Sequence, residues 1–441
     1  MFLIVVCECG ATLVKVKIPV REIKFGMFVE GLDRSWLDTS FPFQGFRISS
    51  VDEIERLQNY CDYVFVNTEK SRRGSATHLM PKPPSSEAMN SILQTIAKRR
   101  KASRIVDREI LGQENYAISM PVERALSDAV GVRKDARAVI DNLYDSARIG
   151  SSIDTGYAKS VVEDLTDGIL QNPDAHMLLT KLHSRDEYTA IHSLNVCTLS
   201  IAFGRHLGLP ESFLKELGLG AMLHDLGKSR VPPEILNKPG KLTEEEFEVI
   251  KSHPIFGMEM LLEHSNPIPP RAIDIAYTHH ERMDGSGYPQ GLEGKEIPLY
   301  GRIVSIVDYY DAVTSDRCYH DGASPDVALR QLFDNEGWHD QELVESFIRC
   351  LSIFPVGSIV ECDNGEVAIV LSQNESRRLR PKLLLVMNEY KRFYDIPKII
   401  DLSLFDDENQ TSIKRLTRPG EYGIDVRRYL KELNWLPRIK E

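Results

Sequence analysis

A chain of 441 residues exceeds the roughly 100–200 of a single domain, which predicts two or three domains. With 42% hydrophobic and 27% charged residues it has ample core material, and the net charge of -11 argues against non-specific binding to DNA or anionic lipid. A small anionic substrate stays compatible, because metal ions and a few local cations reverse the field within a cleft.

The apolar start, Phe2–Val6, falls far short of the ~20 residues of a membrane span and lacks the basic region of an export signal. Seven cysteines scattered from Cys7 to Cys362 form no disulfide framework, so a cytoplasmic location is expected and Cys7 and Cys9 read as ordinary thiols. LVKVKIPV and CDYVFVN alternate as strands, FGMFVEGLD continues as strand and turn, and SSVDEIERLQNY has helical spacing behind a serine cap. Residues 1–70 therefore read as a small α+β module, either regulatory or a packing and dimerisation appendage. Residues 71–120, with PKPPSS and AKRRKASR, read as a solvated linker with a helix through 86–100.

Residues 121–354 are helical in pattern. Pro121 opens an amphipathic helix, a second follows near 153–171, and a third across 184–209 places His192 on its early turns. His224, Asp225 and Lys228 stand at i, i+1 and i+4 near the end of an apolar helix, which predicts Lys228 on the face of His224. There it could stabilise charge on a phosphoryl oxygen or protonate a leaving group. GKS at 227–229 imitates the tail of a phosphate-binding loop, but Met222 occupies the place of the required glycine. Pro232 and Pro233 end the helix, and Thr243 with Glu246 predicts a capping box. His253 opens a helix with Pro254 in its first turn, while His206 and His264 read as surface or structural.

Adjacent His279 and His280 serve one cluster only if a helix end faces it. Gly285, Gly287 and Gly291 then suit a tight loop whose backbone approaches a ligand or metal closely. In the buried helix IPLYGRIVSIVDYYDAVTS, Asp308 and Asp311 are costly unless paired or metal-bound. Residues 355–441 read as a β-rich extension without chemistry, opening on a hairpin about Asn364-Gly365.

Together His192, His224, Asp225, His253, His279, His280 and Asp308 form a mixed imidazole and carboxylate set suited to Mn, Fe or Zn. Seven candidates exceed the needs of one ion. They favour two metals about 4 Å apart sharing a carboxylate, with Asp225 the natural bridge, an arrangement suited to in-line displacement at phosphorus.

The HD pair at 224–225 and the GYP triplet at 287–289, within the ordered set from His192 to Asp308, resemble the HD-GYP family of cyclic di-GMP phosphodiesterases. The resemblance covers about 200 residues and is specific as an ordered set. It implies a mainly α fold, a helical HD-type bundle behind a small α+β N-terminal domain of unknown function, and a centre of two divalent ions. Iron or manganese is implied first, with zinc, nickel or magnesium as alternatives. The implied reaction takes cyclic di-GMP to pGpG and onward to GMP, with Asp225 and Lys228 catalytic.

The family pattern gives Arg317 a phosphate-binding role, and Gly287 and Tyr288 a place in a loop that meets substrate or a signalling partner. Two positions depart from it: His320, often basic in relatives, and Tyr188, where some relatives carry a glutamate for a third metal. A homodimer is compatible with the pattern. Other classes stay open: an HD-type phosphohydrolase of another nucleotide, a non-hydrolysing cyclic di-GMP receptor, and a scaffold.

Overall fold

The computed structural model describes residues 15–23, 27–33, 46–48, 51–67, 110–149, 155–182, 188–238, 240–263, 268–315, 322–374, 376–405, 411–418, 420–433 and 435. Cys7, Cys9, most of the expected linker with its helix at 86–100, His264, Arg317 and His320 lie outside them. The chain divides into two compact units, Met1–Leu93 and Gln94–Glu441.

In the first unit, β1 (Lys15–Pro19), β2 (Phe28–Leu32), β3 (Phe46–Arg47) and β4 (Tyr63–Asn67) form an antiparallel sheet in the order β1-β4-β2-β3. Val64 and Val66 of β4 point to one face, as the two-residue period of a strand requires. There they join Val29, Leu32 and Ile48 in a core closed by Leu57 of α1 (Val51–Tyr60).

The second unit is a helical bundle followed by a sheet. Its helices are α2 (Val122–Ile149), α3 (Thr155–Gln171), α4 (Pro173–Leu179), α5 (Tyr188–His206), α6 (Glu211–Leu223), α7 (Pro233–Leu236), α8 (Glu244–Ile250) and α9 (His253–Leu262). After them come α10 (Pro270–Thr278), α11 (Leu299–Thr314), α12 (Pro325–Asp334) and α13 (Gln341–Leu351).

α5 is the axis. It is buried from His192 to Arg205 beneath α2, α6 and α11, as a helix apolar on every side must be. Glycines let its neighbours close in: a Cβ on Gly218 of α6 would stand 2.6 Å from Ile201, and one on Gly220 would stand 2.9 Å from the Ala272 backbone of α10. Close packing of α5, α6 and α10 brings three otherwise distant polar helix ends together. Thr243 and Glu246 form the expected capping box of α8.

At the end of the chain β5 (Ile359–Cys362), β6 (Val367–Ser372), β7 (Lys382–Met387), β8 (Phe393–Asp401) and β9 (Ile413–Leu416) form an antiparallel sheet in the order β8-β7-β6-β5-β9, with α14 (Val426–Glu432) beyond. Gly365, at φ +87°, turns the β5–β6 hairpin at the predicted Asn-Gly pair. The sheet is tied to the bundle where the Gln373 amide donates to Asp174 of α4 at 2.9 Å and Lys382 pairs with Glu123 of α2. No described helix is long and apolar enough to cross a membrane.

Candidate metal centre

The centre forms where α6 stops. His224 is its C-cap and still helical, but at Asp225 (φ -99°, ψ 6°) the backbone leaves the α region, and Leu226–Arg230 tightens into a 3-10 turn. The expectation that Lys228 lies on the face of His224 is thereby corrected. In a 3-10 turn residues three apart eclipse, so Lys228 stands over Asp225 and its ammonium donates to Asp225 Oδ2 at 2.6 Å. The predicted helix end at Pro232 and Pro233 is corrected too: the helix has already ended, and Pro233 opens α7. Gly227 presses this turn against α9, since a Cβ there would lie 2.0 Å from His253 O and 2.4 Å from Gly257 N. Only glycine permits that approach of two backbones, and the approach sets His253 beside Asp225.

All seven expected ligand residues meet, in two sets. His192, His224 and Asp308 form one; Asp225, His253, His279 and His280 form the other; within each set, one ligand atom per residue lies within 4.8 Å of the rest. Asp225 reaches both. Its Oδ1 is 3.3 Å from His253 Nε2 and 3.7 Å from His279 Nε2, and its Oδ2 is 3.3 Å from His224 Nε2 and 3.8 Å from His192 Nε2. Asp308 spans them as well, with Oδ1 2.9 Å from His192 Nε2 and Oδ2 4.0 Å from His280 Nδ1. The histidine doublet converges because it sits at the C-terminal end of α10, His279 being its C-cap.

The imidazoles are oriented from behind. Nδ1 of His224 donates to Ala221 O at 2.7 Å, that of His253 to Ile250 O at 2.7 Å, and that of His279 to Ala276 O at 3.0 Å. Each of these rings then presents a bare Nε2 to the centre. The Nε2 atoms of His253 and His279 face each other at 3.2 Å, where two lone pairs repel unless a cation shares them. His224 Nε2 and Asp225 Oδ1 are fully buried and have no hydrogen-bond partner. Orphaned acceptors among five imidazoles and two carboxylates fit a borderline divalent metal.

Burial holds His253 down at about 4 and lowers His279 and His280 as well, so these three are neutral near pH 7. Burial would also lower His192, but its hydrogen bonds to Asp308 and Asp311 outweigh that and push it up to about 10. Burial would raise Asp225, yet the Lys228 ammonium keeps it well below the usual carboxylate range; burial would raise Asp308 too, and the hydrogen bond from His192 does the same for it. The centre thus sets two ionised carboxylates, Asp225 and Asp308, among imidazoles that are neutral near pH 7, a donor set that a divalent cation would complete on displacing the His192 proton.

The supporting residues lie one layer out. Asp311 Oδ2 stands 2.8 Å from His192 Nδ1, its Oδ1 accepts from Asn195 Nδ2 at 2.9 Å, and Arg133 of α2 donates to Asn195 Oδ1 at 2.8 Å. Asp311 is visible in the sequence as a costly carboxylate, but its partner is 119 residues away. The GYP loop is pinned by Glu281, whose carboxylate accepts from the amides of Gln290 at 2.8 Å and Leu292 at 3.0 Å. Nothing in the sequence singles Glu281 out.

Gly287 is required by contact, since a Cβ would fall 2.3 Å from the Arg282 nitrogen; the Tyr288 ring packs on His280 with centroids 4.7 Å apart. His206 is exposed and belongs to neither set. The side chain of Tyr188 lies outside the described residues.

The family model for the HD domain matches residues 174–343, and one for a domain of unknown function, DUF3391, matches residues 15–158. The chain is 32% identical over 388 residues, 88% of each chain, to "Cyclic di-GMP phosphodiesterase PA4108" of Pseudomonas aeruginosa. It is 44% identical over 144 residues, 32% of this chain and 38% of the relative, to "Cyclic di-GMP phosphodiesterase response regulator RpfG" of Xanthomonas campestris. To "3'3'-cGAMP-specific phosphodiesterase 2" of Vibrio cholerae it is 36% identical over 169 residues, 38% of this chain and 32% of the relative. On the two-set histidine and aspartate centre, the GYP loop and the near full-length match, the chain belongs to the HD-GYP family of cyclic di-GMP phosphodiesterases, with a DUF3391 domain at its N-terminal end.

Proposed function

We propose that the chain hydrolyses a phosphodiester bond of cyclic di-GMP, giving pGpG and then GMP, in bacterial second-messenger signalling. The observation that carries this is Asp225, one carboxylate oxygen facing each ligand set. In our reading His192, His224 and Asp308 hold one divalent ion, His253, His279 and His280 hold a second, and Asp225 is shared, with iron or manganese as the metal. When bound, such ions activate water and neutralise charge on phosphoryl oxygens.

The chain's own groups do the rest. The backbone carbonyls and Asp311 fix the imidazoles, so that no reorganisation is needed at the moment of reaction. Lys228, a quarter exposed, holds Asp225 ionised and offers its ammonium to charge developing on the leaving oxygen. Tyr288 and Gly287 form one wall of the approach, and Arg317 supplies a planar fork for a non-bridging phosphate oxygen. We read 1–70 as a regulatory module, 71–120 as linker, 121–354 as the catalytic domain and 355–441 as an extension. We place the protein in the cytoplasm, as a homodimer that meets a signalling partner through the Tyr288 loop. The free thiols of Cys61, Cys197, Cys350 and Cys362 support that compartment.

The test is Asp225→Ala in metal-loaded, full-length protein, with products resolved by chromatography. Turnover of cyclic di-GMP and metal content should both collapse; full turnover with the fold intact overturns the assignment. Parallel incubation with 3'3'-cGAMP and with linear guanine nucleotides decides the substrate, and faster cleavage of either than of cyclic di-GMP overturns this choice.

A further inference from the structure

The metal centre addresses phosphate, which every cyclic dinucleotide carries, and so has no means of telling one base from another. A group that reads a base must stand beside it. Arg282 stands there, two residues after His280 and folded into the GYP loop, where a Cβ on Gly287 would fall 2.3 Å from the Arg282 nitrogen.

Met283 N donates to Trp338 O at 3.1 Å and Asp284 N to Gly337 O at 2.8 Å, joining the strip after the histidine doublet to the segment before α13. The Arg282 guanidinium is thereby carried over the Trp338 indole, 3.6 Å from the ring centroid. The indole's own segment is anchored in turn. His339 Nδ1 lies 3.2 Å from Ser305 Oγ, one helical turn before Asp308 on α11, and Asp340 accepts from Arg302 at 2.5 Å. The arginine and indole stack therefore bridges the loop that follows His280 and the helix that carries Asp308.

The guanidinium also shares its surroundings with the metal-centre carboxylates. Burial, Asp225 and Asp308 raise the Tyr288 hydroxyl, and Arg282 opposes them; burial and Arg282 lower His339, and Asp308 opposes them. Yet the Arg282 side chain, partly buried, makes no hydrogen bond or ion pair with any described residue. Stacking occupies the face of a guanidinium and leaves its edge, a rigid fork of N–H donors, to find two acceptors side by side.

Guanine offers that pair at O6 and N7, whereas adenine sets a donor where guanine has O6. Phosphate already meets Lys228 and the ligand sets, and the substrate carries no carboxylate. We propose that Arg282, held on Trp338, takes the O6 and N7 edge of one guanine of the substrate and sets the preference for guanine over adenine cyclic dinucleotides. This specificity role rests on the hydrolysis proposed above.

The test uses full-length, metal-loaded protein. kcat/KM is measured for cyclic di-GMP and cyclic di-AMP in wild type, Arg282→Lys and Arg282→Met, with metal content checked in each. The preference for cyclic di-GMP should shrink about 10- to 100-fold in both variants, chiefly through KM for the guanine substrate, because lysine keeps the charge but not the fork. Full preference in Arg282→Lys, or an equal loss on both substrates, overturns the proposal in favour of a charge or loop-holding role. Calorimetry with GMP and 7-deaza-GMP, which lacks the N7 acceptor, reads the contact without turnover. Wild type should bind the deaza analogue about tenfold more weakly, and Arg282→Met should not tell the two apart. Equal binding of both by wild type overturns the proposal whatever the variants do. Wild type that fails to cleave cyclic di-GMP but keeps the GMP difference sinks the hydrolysis reading and supports this contact.

Discussion

Asp311 is where a residue outside the ligand set sets the strength of that set. Its carboxylate meets His192 Nδ1 at 2.8 Å and is itself held by Asn195 and Arg133. Asp311→Asn keeps the shape and removes the charge that makes the imidazole a strong donor. Metal affinity should fall about 10- to 100-fold. Chelator competition measures it, and wild-type affinity in the variant would show that the contact is only packing. The seven residues that meet in two sets stand out in the sequence only as an ordered set from His192 to Asp308 that matches the HD-GYP pattern; alone, a histidine such as His192 reads as structural. Of the Arg133–Asn195–Asp311 chain only Asp311 stands out in the sequence, as a costly carboxylate; Arg133 and Asn195 are ordinary on their own helices and acquire meaning only when α2, α5 and α11 pack.

At the scale of elements, the long helices were legible from their periodicity, and the HD turn was misread for a physical reason. The spacing of His224, Asp225 and Lys228 is the same whether the backbone stays α or tightens to 3-10, so sequence spacing alone could not say which residue Lys228 would cover. The deciding contact is tertiary: Gly227 lies against the backbone of α9. Its place in a GKS string suggests phosphate chemistry, while its actual office is to let the 3-10 turn and His253 share space.

Gly227→Ala must push these backbones apart or tilt α9, at a cost upwards of about 2 kcal/mol. Because His253 and Asp225 sit on the two sides of the contact, the loss should appear twice. Urea unfolding will shift to lower midpoint, and the fraction of metal bound at fixed free metal will drop. Unchanged values for both would mean that the turn tolerates a side chain and that the close approach is not what positions His253.

For the whole molecule, the β-rich end followed from strand alternation, whereas the attachment of the C-terminal sheet to α4 and α2 is a long-range event no local pattern announces. That attachment lies close to a titrating group unrelated to the metal. His176 of α4 is 3% exposed and packs against α3 where Gly168 leaves room, a Cβ there falling 2.3 Å from its Nε2. Burial, with Arg133 adding to it, holds His176 down at about 4. In the unfolded chain it titrates near 6.5.

Between these values the unfolded state binds a proton that the folded state refuses. Stability contributed by the neutral ring is therefore complete above about pH 6.5, is lost as pH falls through that window, and changes no further below about 4. The size is roughly 3 kcal/mol at most, a large share of the stability of a typical domain. His339, held at about 4 by burial and Arg282, adds a loss of the same sign in the same window.

Urea unfolding of wild type and His176→Gln from pH 4 to 8 separates this group from the metal-centre histidines, which are common to both proteins. The variant should be the less stable at pH 8 and should lose less on acidification, so that the two curves converge toward pH 4. Parallel curves across that range would mean that His176 is protonated as readily in the fold as in water, and that the α3–α4 seam is open to solvent.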